Sequence, residues 1–304
     1  MKNRGKYMNK KQPWRDLLVE DLSVADIVLL GIPFDENCSC GEGTRFAPDK
    51  LRELSGYLPP VTENGEIIFA KLFDFGNVDK EESIEFFFKK VATKAFEVIS
   101  SGKFPIFLGG DHSVSIPLKQ AFAKFHQGKR IGIIHFDAHA DICDIYDDSK
   151  LSHASVNARA LETGFKDSDI MMVGIRSFEI QELSFLENHP HQVLLASQLD
   201  SLKETGIANE IITYFASFDA IYLSVDIDVL DPAYAPGTGT PEAGGLSSRR
   251  LINIIRKLVQ QLPIKAMDLV EISPPRDVND ITSWAGLKLL LEVFSIKGQK
   301  KGRN

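Results

Sequence analysis

Residues 130–141 read RIGIIHFDAHAD. The first part, RIGIIHF, is apolar and β-branched, without clean in/out alternation. That pattern marks a strand covered on both faces, as in a parallel sheet. The last part sets Asp137, His139 and Asp141 at i, i+2 and i+4, so on an extended chain their side chains share one face. They fall just past the apolar run, where a parallel strand ends. Open α/β sheets gather their ligands at that carboxyl edge.

Two further segments repeat the pattern. AIYLSV (220–225) leads into Asp226 and Asp228, and Asp231 then precedes Pro232 in a turn. FPIFLGGDHS (104–113) runs into Gly109-Gly110, which permit a tight turn, and then into Asp111-His112. Singly, an Asp-x-Asp reads as a turn or helix cap, and an Asp-His as a surface pair. Three such segments, each after a strand, read as one site. Carboxylates packed together repel and lose hydration unless cations neutralise them. The cluster His112, Asp137, His139, Asp141, Asp226 and Asp228 therefore calls for divalent metal. Mixed carboxylate and imidazole donors suit Mn, Fe, Co, Ni or Zn better than Ca or Mg. No cysteine sits among them, which argues against a structural zinc site.

The same alternation extends along the chain. Candidate strands are 25–32, 66–74, 104–108, 131–136, 169–175, 192–196, 220–225 and 264–271, with helical stretches at 81–100 and 247–262 between them. In the second helix Leu251, Ile254, Ile255, Leu258 and Leu262 fall on one face, and Ser247 or Ser248 suits the N-cap. Alternating strands and helices predict an α/β fold, a three-layer α/β/α sandwich around a mostly parallel sheet. No linker, repeat or low-complexity tract divides the 304 residues, so 13–304 is read as one domain after a solvated tail at 1–12.

Composition is that of a soluble globular protein, 43% hydrophobic and 25% charged. The net charge of -7 argues against nucleic acid or an anionic membrane as partner, and no apolar run is long enough to span a bilayer. The basic N-terminus lacks the apolar core of a secretory signal. Three cysteines, Cys38, Cys40 and Cys143, make no disulfide framework and point to a reducing cytoplasm. Cys38 and Cys40 read as ordinary loop thiols.

GGDHS, FDAHAD and SVDIDVLDP, in this order and at these separations, resemble the ureohydrolase family of arginases and agmatinases. GIPFD (31–35) with Gly43, Arg45 and Pro48, APGTGTPEAGGLSSR (235–249) and DLVEISP (268–274) extend the resemblance over most of the chain. It implies a sheet of eight strands and two Mn ions per subunit. One ion would take His112, Asp137, Asp141 and Asp226, and the other His139, Asp137, Asp226 and Asp228. It also implies hydrolysis of a guanidino compound to urea and an amine. Asp141 would pass a proton to the leaving nitrogen, His153 would shuttle protons to solvent, and Glu271 would bind the guanidinium. Asp111 and Asp231 read as turn residues beside the site.

Arginases carry an asparagine where this chain has Cys143, and AYAPGTGTPEAGG is closer to agmatinases. The expected substrate is agmatine. Arginine, guanidinobutyrate, guanidine and formimidoylglutamate stay open as alternatives. A carboxylate substrate would require a basic pocket residue, with Arg45, Arg159 and Arg176 as candidates. A non-catalytic member of the family and a single-metal deacetylase of similar architecture are the readings from other classes. A homo-oligomer, trimer or hexamer, is the family's habit.

Overall fold

The computed structural model describes residues 12–188 and 192–298, so the tail expected at 1–12 lies outside the described residues but for its last member. Eight strands form one sheet: β1 (Ile27–Gly31), β2 (Leu72–Asn77), β3 (Phe104–Leu108), β4 (Ile131–Phe136), β5 (Ile170–Ile175), β6 (Val193–Leu195), β7 (Ala220–Asp226) and β8 (Ile264–Val270). Their order is β2-β1-β3-β8-β7-β4-β5-β6, and every neighbouring pair is parallel. The expected mostly parallel sheet is thus wholly parallel.

The helices are α1 (Ala47–Ser55), α2 (Ile84–Ser100), α3 (Ser115–Phe125), α4 (Val156–Leu161), α5 (Leu183–Asn188), α6 (Ala196–Leu199), α7 (Glu204–Tyr214), α8 (Ser248–Gln261) and α9 (Ile281–Lys297). Side chains alternate across each strand and build two cores. On β4, Ile134 and Phe136 enter one core with α1, α7, α8 and α9. Ile131 and Ile133 enter the other with α2, α3 and α4. Both faces are buried, which explains the continuous apolar runs of the central strands. No helix among the described residues is long and apolar enough to cross a membrane.

One strand is displaced from its expected place. The run at 66–74 yields β2 at Leu72–Asn77. Ile67 and Phe69 are largely exposed, and Ile67 makes an isolated antiparallel bridge with Val61 outside the sheet. The chain joins the sheet only where Leu72 pairs with Ile27.

At the carboxyl edge the chain leaves β4 toward β5 and β6, then returns as β7 on β4's other side. Such a reversal opens a crevice at the strand ends. The turn after β3 is tight. A side chain at Gly110 would meet the Phe34 carbonyl oxygen at 1.7 Å, and Asp111 N–H donates to that oxygen at 2.8 Å. This close approach brings His112 over the crevice.

Candidate metal centre

Four adjacent strands deliver the side chains. His112 follows β3, Asp137, His139 and Asp141 follow β4, Asp226 ends β7 with Asp228 just beyond, and Glu271 follows β8. All six candidate ligands converge. His112 Nδ1 lies 3.0 Å from Asp137 Oδ2, 3.1 Å from Asp141 Oδ2 and 3.2 Å from Asp226 Oδ2. His139 Nδ1 lies 3.1 Å from Asp228 Oδ2 and 3.4 Å from Asp137 Oδ1. Asp137 therefore turns one oxygen to each histidine. Asp226 approaches His112, and its other oxygen accepts Asp228 N–H at 2.8 Å.

The short contact between His112 and Asp137 is not an aligned hydrogen bond. His112 Nδ1 and Asp137 Oδ2 are buried and close, yet neither has a partner in hydrogen-bonding alignment. Buried nitrogen and oxygen atoms that converge without hydrogen-bond partners suit a shared cation, so these residues fit a metal ion. The outer contacts agree. Ser224 Oγ donates to Asp268 Oδ1 at 2.8 Å, so its oxygen is left to accept from His112 Nε2 at 3.0 Å. A proton on Nε2 leaves Nδ1 as the donor atom toward the site. Asp268 is itself held by Ser115 Oγ at 2.7 Å and Tyr222 OH at 2.8 Å.

The electrostatics point the same way. Burial and the neighbouring Asp228 and Asp137 push Asp226 well above the ordinary carboxylate range. Burial and Asp137 push Asp141 up to about 7. Burial disfavours charge on His112, but Asp137, Asp141 and Asp226 together raise it well above its usual value. With no cation at hand, protons are drawn in to neutralise the cluster. Asp141 sits at a left-handed φ of 52°, its carbonyl held by Asn157 N–H at 2.8 Å.

His153 stands apart from the cluster. Its Nε2 lies 2.9 Å from Ser39 Oγ, its Nδ1 3.4 Å from Ser152 Oγ, and the Tyr146 ring meets it edge-on at 5.5 Å. Burial holds its pKa below the usual value, against a backbone contact from Asn37 that raises it. Glu271 is buried, at φ 62°, with Oε1 accepting His112 N–H at 2.7 Å. Asp111 caps the turn at 112–114 and accepts Ser113 N–H at 3.0 Å. Asp231 accepts Ala233 N–H at 2.9 Å and Gly244 N–H at 2.8 Å. Both are turn residues, as expected. All three cysteines are free, and only Cys143 is buried.

His135 was not anticipated. Its Nε2 lies 3.0 Å from Asp137 Oδ2, and its ring stacks on His112 at 4.8 Å. The rule that grouped residues 137, 139 and 141 by alternation also reaches 135, so the signal was present in the sequence.

Comparison with known proteins follows the same lines. A model of the arginase family matches residues 25–295. An agmatinase of Neisseria meningitidis serogroup C is 38% identical over 92% of this chain and 89% of its own. A guanidinobutyrase of Pseudomonas aeruginosa is 33% identical over 91% and 88%. The solved structure of proclavaminate amidino hydrolase from Streptomyces clavuligerus superposes with a TM-score of 0.86 at 27% identity, covering 96% of this chain and 98% of that one.

Proposed function

The chain belongs to the arginase family, and from that premise we propose that it hydrolyses agmatine to putrescine and urea at a centre of two divalent ions, manganese foremost. The observation that carries the two-ion reading is Asp137, whose two oxygens face two different histidines. His112 and Asp141 would hold one ion, His139 and Asp228 the other, with Asp137 and Asp226 between them. Bound there, the pair supplies Lewis acidity that brings the pKa of water toward neutrality and so provides a nucleophile.

The chain's own groups do the rest. Glu271 has one oxygen fixed by the His112 N–H, which leaves the other for a guanidinium. Held there, the guanidinium presents its carbon to attack from the metal side. Asp141 takes the proton released in the attack and returns it to the departing nitrogen, so that urea and a neutral amine separate. His153, between the hydroxyls of Ser39 and Ser152, passes to solvent the other proton, the one water loses in becoming the nucleophile.

Substrate choice rests on the arginines. Arg45 pairs with Asp35 and Glu42. Arg159 pairs with Asp144 and Glu162. Arg176 donates to the carbonyls of Gly174, Asp228, Leu230 and Glu242. Each cation is already balanced or engaged, which favours a substrate that carries a distal amine rather than a carboxylate. One observation supports a guanidino acid instead. Arg159 Nε and Nη1 are buried without partners. A urea-release panel on manganese-loaded protein decides, with agmatine, arginine, guanidinobutyrate, guanidine and formimidoylglutamate as substrates. Agmatine should give the highest kcat/KM. Preference for guanidinobutyrate would move the assignment to guanidino acids, and no urea from any would refute a working hydrolase. A cytoplasmic homo-oligomer, trimer or hexamer, goes with the proposal.

A further inference from the structure

Lys119 lies on α3 and is wholly enclosed, with 0% of its surface exposed. Lysine is almost never fully buried without a partner. Here the partner is neutral: Nζ donates to Asn157 Oδ1 at 3.0 Å. Among the described residues no carboxylate comes within ion-pair reach of it. The Asn157 amide in turn donates to the Ala140 carbonyl at 2.9 Å, and its backbone N–H to the Asp141 carbonyl at 2.8 Å. The ammonium thus stands behind the metal cluster, one side chain removed from the turn that carries Asp141.

An isolated buried ammonium costs several kcal/mol unless its charge is answered. The charges that answer it are Asp268 from β8 and Asp141 and Asp137 from the end of β4, while the imidazole of His135 faces it from β4 itself. Burial lowers its pKa to about 8 against the pull of those carboxylates. Nothing in the proposed reaction uses Lys119.

We propose that Lys119 is a resident counter-charge for the carboxylate cluster. It offsets part of the cluster's negative charge when the ions are absent and repels them when they arrive, and so limits how tightly they are held. The inference rests on the two-ion reading above.

Two substitutions separate charge from shape. Lys119→Met removes both the charge and the hydrogen bond to Asn157. Lys119→Gln removes the charge but can still donate to Asn157. Manganese affinity is measured on chelator-stripped full-length protein by competition with a metal-binding dye, and melting is followed with and without Mn2+. Both variants should bind manganese about tenfold more tightly, the order of one unit charge acting through protein. Both should also widen the gap in Tm between loaded and stripped forms. Equal Tm losses in the two forms, with unchanged affinity, would make Lys119 a packing residue and overturn the proposal. So would a Lys119→Gln protein that behaves as wild type, because the hydrogen bond would then be the whole effect. If Lys119→Met fails to fold, Lys119→Gln decides alone. A wild-type protein that takes up no manganese defeats the two-ion reading, and this inference with it. Normal uptake with unaltered variants defeats this inference only.

Discussion

At the scale of single residues, the site's chemistry depends on which atoms lack protons. Asp137 is the side chain that faces both histidines, and its oxygens have no substitute. Asp137→Ala should abolish urea release and lower bound metal below one ion per chain, as read by atomic absorption. Glu271 is different, because the proposal assigns it to the guanidinium and not to the ions. Glu271→Gln keeps the shape and loses the charge. It should raise KM by about tenfold to a hundredfold, the worth of a charge-assisted hydrogen bond, with metal content unchanged. A variant with wild-type KM would remove Glu271 from substrate binding. The candidate ligands were legible because each follows an apolar strand, those after β4 and β7 at alternating spacing. Lys119 was not, because a lysine in a helix reads as solvated. Only its place one turn from Ser115, on a face shared with the buried Phe122, marks it as interior.

Among the elements, agreement was closest where burial is two-sided. β3, β4 and β7 fall within a residue of their expected spans, because a strand covered on both faces must be apolar throughout. The edge strand β2 was shifted, because beyond the bridge of Leu18 to Leu72 no strand covers its outer side. Its apolar lead-in stays outside the sheet, while Asp74 and Gly76 within it are polar or small. Asp74 has its own task. Arg52 of α1 grips it with Nε and Nη2, each at 2.8 Å. Burial alone would raise the Asp74 pKa, but Arg52, the Trp14 indole and the Gly76 N–H hold it below the ordinary value. A depressed carboxylate stabilises the fold fully above its unfolded pKa and loses that contribution as pH falls through the folded value. Arg52→Met should therefore lower Tm at neutral pH, with the deficit shrinking below about pH 4. A deficit that stays constant across a pH series of melts would mean packing, not charge, joins α1 to β2. The cap of α8 offers a simpler case. Ser247 Oγ accepts the Arg250 N–H, and Ser247→Ala should cost about 1 kcal/mol in urea denaturation.

For the whole molecule, the proposal makes the buried carboxylate cluster a cost to folding that bound cations relieve. Chelation should lower Tm by about 5–10 °C, as expected for ligands held at a hundred times their Kd in a chain of this size. Adding Mn2+ back should restore it. An unchanged melting curve would argue that the cluster is neutralised by protons alone.

The placement of β8 has a bearing on how the chain reaches this state. It is the last strand to be synthesised, yet it lies between β3 and β7. Everything before it can form only two partial sheets, β2-β1-β3 on one side and β7-β4-β5-β6 on the other. His112 belongs to the first part, and the aspartates that face it belong to the second. Within the sheet, β8 is the strand that joins the imidazole's side to that of its carboxylates. A chain that ended before residue 264 would carry all six candidate ligands without the strand that joins the two parts.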